Sequence, residues 1–245
     1  MVEVKMDPIN VREARLSVNH TLVQAQSLFL AKVFNWMFLG LLLTAVTAFL
    51  TANSKAALEL ILGNRLVFFA LVFAELGMVF TLASRVERLS AQAATILFLL
   101  YSALNGVTLS AVLLIYTMTS IATTFLITAG MFGAMSVYGF VTKKDLTGLG
   151  SFLTMGLIGI IIASVVNLFF GSPMISWVVS AIGVIVFTGL TAYDVQRLTR
   201  LGAGGIMDGD GTAIRRASIM GALVLYLDFI NLFLMLLHFL GGNRD

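Results

Sequence analysis

The sequence predicts an all-α integral membrane protein of seven transmembrane helices. Three observations predict it: a composition that is 59% hydrophobic and only 11% charged, seven apolar blocks each long enough to cross a bilayer, and a one-sided placement of the basic residues. A water-soluble domain carries about 25% charged residues, so this charge content, with a mean hydropathy of +1.01, places the chain in lipid. In hydrocarbon every backbone N–H and C=O must be bonded within its own segment, which makes apolar blocks of this length helices. The formal net charge of +3 is small, and no basic patch points to nucleic acid. Cysteine is absent, which excludes disulfides, thiolate metal sites and cysteine catalysis. Two histidines, His20 and His238, are too few for a histidine-based metal cluster.

The chain opens on an arm, residues 1–31, in which Lys5, Arg12 and Arg15 stand against Glu3, Asp7 and Glu13. Its later part, Leu22 to Leu30, is apolar enough to be helical already and to lie at the interface. No signal peptide is read, because the first apolar block begins near Val33 and is too long for an h-region. A single transmembrane domain, 32–245, follows, with spans expected at 33–53, 66–84, 92–116, 119–141, 150–170, 174–195 and 218–240. The third and fourth are divided at Thr117-Met118-Thr119-Ser120, since together they are too long for one crossing. Gly171-Ser172-Pro173 divides the fifth from the sixth by turn chemistry. With the amino terminus inside, twelve of the fifteen Lys and Arg fall on inside segments, leaving Lys55, Arg65 and Arg244 outside. That bias supports both the seven spans and the orientation. Gly130, Gly133, Gly139, Gly156, Gly159, Gly183 and Gly189 lie within spans, where small residues let helix backbones approach closely.

Of twelve acidic residues, three fall within or at the edge of a span: Glu75 in the second, Asp194 near the inside end of the sixth, and Asp228 near the middle of the seventh. An aspartate at a helix centre costs roughly 2.5–3.5 kcal/mol on insertion scales, so its side chain faces protein or water and holds a partner or a proton. The last helix is therefore expected to be an interior one. Two readings stand for each acid. It lines a cavity or a proton path, or it is a structural carboxyl bonded to Asn105, Asn167 or a tyrosine hydroxyl.

Two carboxyls brought together out of water do not both ionise easily. Such a pair shares a proton, changes charge near neutral pH, and when deprotonated offers the clustered oxygens that suit calcium. Depth stands in the way of a contact between Asp194 and Asp228. Counted from Arg197 and Arg216, their depths differ by roughly 13 Å at about 1.5 Å per residue. Contact requires the sixth helix to continue past Arg200, a strong tilt, or a cavity reaching inward. The intervening LGAGGIMDGDGT, 201–212, reads as a solvated loop. Asp208 and Asp210 lack the later ligand positions and closing glutamate of a calcium loop.

Tyr193-Asp194-Val195-Gln196 closing the sixth span, and Leu225-Tyr226-Leu227-Asp228-Phe229-Ile230-Asn231-Leu232-Phe233 in the seventh, resemble the transmembrane Bax inhibitor motif family in its bacterial YccA/YbhL-type branch. The second-span pattern from Glu75 to Arg85 and the Gly139–Leu146 turn are also similar to that branch, and the resemblance covers about 30–240. It implies a bundle with the C-terminal helix central and the other six wrapped around it. It implies a pH-sensitive calcium leak across a bacterial cytoplasmic (inner) membrane, with the amino terminus cytoplasmic. Asp194 and Asp228 would be the paired aspartates and the calcium ligands. Arg85 would be the latch that pairs with Asp194 in the closed state, with Arg88 one turn on as the competing choice. Glu75 would be an accessory acid of the pathway. The partners implied are the lipid bilayer and calcium ions, with no cofactor.

The alternative function is a non-transporting regulator that binds a membrane protease or a stress- or death-pathway partner through the arm or the bundle surface. An enzyme is not expected. An intramembrane aspartyl protease places Gly-x-Gly before its second aspartate and a Pro-Ala-Leu motif after it. Here Tyr226-Leu227 precedes Asp228 and no such motif follows.

Overall fold

A computed structural model describes residues 8–85 and 88–242, of which 8–20 and 208 are described in backbone alone. The first seven residues of the arm, the side chains of Arg12, Arg15, His20 and Asp208, and Arg244 lie outside the described residues. Within them all regular structure is helical: α1 (Pro8–Ala52), α2 (Lys55–Ile61), α3 (Arg65–Arg85), α4 (Ala91–Ile115), α5 (Met118–Val141), α6 (Thr147–Phe170), α7 (Pro173–Ala203), a 3-10 turn (Ile206–Asp208) and α8 (Gly211–Leu240). All but the short α2 are long and apolar enough to cross a membrane.

The helix boundaries follow from short polar side chains. Ser90, Thr117, Ser172 and Asp210 each accept the N–H of the residue three positions on, satisfying a donor that the first turn leaves open. Both expected divisions are therefore real. At the second, Gly171 adopts the left-handed conformation (φ 59°) at the end of α6, and Pro173 opens α7.

Three boundaries differ from the hydropathy reading. From Pro8 onward the expected arm is helix continuous with the first span, and Phe29 and Leu30 belong to the buried core. The short α2 arises where Ser54 caps Ala57 N–H between the first two spans. Finally, α7 runs through Arg197 and Arg200 to Ala203, and α8 begins at Gly211, seven residues before its apolar run. Charge ends an apolar run, but it does not end a helix whose last turns still bury Leu198, Thr199 and Gly202.

α8 is the centre of the bundle. Its apolar window is 61% buried, against 6% for α3. α1, α4, α5 and α7 pack directly on it, while α3 packs on α4 and α6 on α7 to complete the surround. Tyr226, Leu223, Leu225 and Leu232 of α8 are essentially inaccessible, and the outer faces carry exposed apolar side chains such as Leu66, Leu168 and Phe169.

Among lipid tails, helices gain little from hiding apolar surface. Association rests on close backbone approach and hydrogen bonds. A β-carbon added at Gly139 would stand 2.3 Å from the Ala192 carbonyl oxygen, and additions at Gly156, Gly183 and Gly189 would also crowd neighbouring side chains. Gly130, Gly133 and Gly159 have nothing within 4 Å, so the packing role expected of the span glycines belongs to only part of the set.

Candidate functional site

The site is built around five consecutive residues of α7. Ala192 presents its carbonyl to Gly139 of α5, and the Tyr193 ring covers Gly150 of α6 so closely that a β-carbon there would lie 2.4 Å from it. Asp194 faces Asp228 of α8, near enough for one hydrogen bond to join the carboxyls when a proton is present. Val195 is fully buried in the core. Gln196 fastens the turn between α5 and α6: its Nε2 donates to the Lys144 carbonyl (2.7 Å) and its Oε1 accepts the Leu146 N–H (3.0 Å). The helix period of 3.6 sends neighbouring residues in different directions, so one short stretch reaches α5, α6, α8 and a turn at once.

The aspartates are 8% and 5% exposed, so two carboxyls meet inside the protein. The extension of α7 beyond Arg200 is one of the conditions that the contact required. The remaining offset of about 12 Å between the helix ends is taken up by the link 204–210. Asp210, in that link, accepts the Thr212 hydroxyl and the Ala213 N–H, which hold its carboxyl below the usual aspartate range. It is a helix cap.

Another of those conditions is met as well. A cavity of about 710 Å³ between α7 and α8 runs from Leu201 and Ala213 at the basic end inward to Asp194 and Val224. Arg197, Arg200 and Arg216 share its walls, and Arg197 is the cation that acts on Asp194. Asp228 Oδ2 is buried and has no hydrogen-bond partner among the described residues. Among the described residues no third His, Cys, Asp or Glu joins the two aspartates there in a metal-binding group.

The other expected residues stand apart from the pair. Glu75 of α3 accepts the Thr108 hydroxyl of α4 (2.9 Å) and lines a second cavity of about 440 Å³ with Tyr101 and Asn231. Arg85 ends α3 with an exposed side chain, Arg88 is exposed beyond it, and among the described residues no ion pair joins either to Asp194. The partners suggested for structural carboxyls are engaged elsewhere. Asn105 accepts from Tyr226 and donates to Tyr101, while Asn167 bonds Ser172 and Ser176 at the α6–α7 turn. Tyr226 also bonds Thr44 of α1 (2.7 Å), so α8 is tied to α1 and α4 on one side and to α7 through Asp228 on another.

Sequence reasoning missed the fastening at the basic end. Arg200 donates to Gln196 Oε1 and to Asp145 Oδ1, both at 2.8 Å. Asp145 also accepts the Thr147 hydroxyl and N–H. The Thr147 hydroxyl, then Arg200, then the Thr147 N–H hold the exposed Asp145 carboxyl at about 2. The available signal was a glutamine and an arginine one turn apart following Asp194, on the same face of α7. On the far side of α8, the Arg215 guanidinium lies over the Trp36 ring of α1, 5.5 Å from its centre.

Comparison with known proteins agrees with this arrangement. The family described as "Inhibitor of apoptosis-promoting Bax1" matches residues 26–245. Inner membrane protein YbhL of Escherichia coli is 53% identical over 216 residues, covering 88% of this chain and 92% of that protein. An uncharacterized protein of Borreliella burgdorferi is 50% identical over 218 residues, with 89% and 93% covered. One of Deinococcus radiodurans is 44% identical over 236 residues, with 96% and 99% covered. A match over nearly the whole membrane region, with relatives this similar along their full length, places the chain in the Bax inhibitor family of membrane proteins, the one described as inhibitor of apoptosis-promoting Bax1.

Proposed function

We propose that the protein is a pH-sensitive cation leak pathway, with calcium the favoured ion, and that Asp194 and Asp228 form its gate. The observation that carries this reading is the meeting of two buried carboxyls, one of which, Asp194, lines the inner end of a cavity that opens at the basic end. With one shared proton the pair is a hydrogen-bonded tie between α7 and α8. Loss of that proton leaves two carboxylates that repel each other, and Asp228 Oδ2 already lacks a protein donor. Four carboxylate oxygens then face a passing divalent cation. Glu75 serves as an accessory acid farther along the path. The gathering of basic residues at the cavity end supports a cytoplasmic side for that end and for the amino terminus, in the inner membrane of a bacterial cell.

The test is calcium entry into liposomes carrying the purified protein, followed by an internal indicator from about pH 6 to 8. The wild type is expected to give a flux that changes with pH. Asp194→Asn and Asp228→Asn are expected to abolish it or make it indifferent to pH. Arg197→Ala and Arg85→Ala, run side by side, decide which arginine latches the pair. Wild-type flux no greater than that of empty vesicles at any pH removes the leak reading and leaves the aspartates as a structural tie in a membrane regulator.

A further inference from the structure

Three cavities lie in sequence along α7 and α8. The first reaches from the basic end to Asp194. The second, of about 440 Å³, lies beyond the carboxyl pair, where Phe187 of α7 and Leu227 and Asn231 of α8 form its floor and α3, with Glu75, and α6 form its sides. The third, of about 640 Å³, lies toward the opposite end near Pro173 and His238. The second and third share two wall residues, Ser164 and Met235. Met235 stands two turns beyond Asp228, about 10 Å along the helix axis.

We propose that Met235, seated on Gly183, is a second constriction that separates the compartment beyond the carboxyl pair from the opposite face of the membrane. This rests on the reading of a cation path given above. Met235 Cγ and Sδ lie 2.8 Å from the place where a β-carbon of Gly183 would stand. The missing side chain of Gly183 is therefore the seat of the thioether. An unbranched methionine can leave such a seat by rotating its own bonds, with no change in helix packing. While seated, it sets its apolar atoms in the wall that it forms with Ser164 between the two cavities, and an apolar constriction bars ions by excluding water. The two barriers differ in kind: the inner one answers to protons, the outer one to the swing of an uncharged side chain.

The absence of cysteine from the chain makes the test direct, because a single introduced thiol is the only one present. Asn231→Cys reports on water in the second cavity and His238→Cys on the outer mouth of the third. Each is to be labelled in nanodiscs with a positively charged methanethiosulfonate. Combined with Met235→Ala, Asn231→Cys is expected to label on the order of tenfold faster than with Met235 or with the volume-conserving Met235→Leu. His238→Cys is expected to label at one rate in all three backgrounds, a check that the fold is retained.

Equal labelling of Asn231→Cys in the three backgrounds overturns the constriction. The flux assay separates this outcome from failure of the underlying reading. Calcium entry that depends on Asp194, with labelling indifferent to Met235, removes the constriction and keeps the cation path. Labelling that depends on Met235, without any Asp194-dependent flux, keeps Met235 as the barrier to a water-filled cavity and removes the cation path.

Discussion

Replacing Gly139 by alanine tests the backbone contact that places Asp194. The added β-carbon would stand 2.3 Å from the Ala192 carbonyl oxygen and 3.0 Å from its carbon. Ordinary contact begins near 3.4 Å, so α5 and α7 must part by about 1 Å in a closely packed interior. The obstructing atoms are backbone, which cannot rotate aside, and overpacking of this kind costs about 1–3 kcal/mol. Alanine also favours helix over glycine by up to about 1 kcal/mol, which would mask part of the loss.

Gly130→Ala, on the same helix with nothing within 4 Å, carries that gain alone and is the proper reference. The difference between the two variants is then the overpacking itself, about 1–3 kcal/mol, or about 2–12 °C in Tm for a chain of this size. Thermal unfolding in one detergent, monitored by helical circular dichroism, measures it. Gly139→Ala is expected to melt lower. If the two variants melt together, α5 and α7 are not in backbone contact at Ala192 and that contact does not position Asp194.

Two further outcomes concern the basic end. Gln196→Leu leaves the buried Leu146 N–H without its partner, at a cost of about 1–3 kcal/mol, while the carbonyl of the exposed Lys144 exchanges its partner for water. Faster hydrogen exchange at the Leu146 amide is expected, and unchanged exchange would show the turn to be held by other means. The Asp145 carboxyl lies at about 2, below its ordinary 3.8, so the stability it lends is complete above about pH 4 and is lost as pH falls through about 2. Its carboxyl carbon shift should stay flat between pH 8 and 4 in the wild type. A midpoint above 4 would mean that neither the Thr147 bonds nor the Arg200 link is formed.

Hydropathy was enough to read the seven spans, because lipid forces any apolar stretch of that length into helix whatever its neighbours. It could not place helix ends lying beyond the apolar stretch. The last turns of α7 are amphipathic, charged at Arg200 and buried at Leu198 and Gly202, and the short α2 is announced only by the Ser54 cap. The two aspartates were legible from the expense of a carboxyl in lipid, and their motifs from resemblance. Their contact was not, since it depends on how the link 204–210 absorbs the offset between two helices.

Glu75 could be singled out as an intramembrane acid, but its Thr108 partner is one of many hydroxyls in the spans and nothing local marks it. Gln196 lies inside the Tyr193–Gln196 motif, but its partners are main-chain groups of the 142–147 turn, which carry no sequence signature. The same limit hides the difference between Gly139, which meets a carbonyl, and Gly130, which meets open space.

The stretch Ala192 to Gln196 also sets the mechanics of the bundle. Turning α7 by one residue, about 100°, would withdraw Ala192 from Gly139, Tyr193 from Gly150, Asp194 from Asp228 and Gln196 from its turn in a single movement. Four unrelated contacts at four azimuths make rotation about the axis the stiffest coordinate the helix has. Motion that parts the two aspartates must keep that azimuth and take the form of an axial slide or a shallow tilt, the shear that packed helices permit. Gln196 and Arg200 are bonded to the α5–α6 turn, so a tilt of α7 carries that turn with it. A probe fixed to the turn would register the state of a carboxyl pair it never touches.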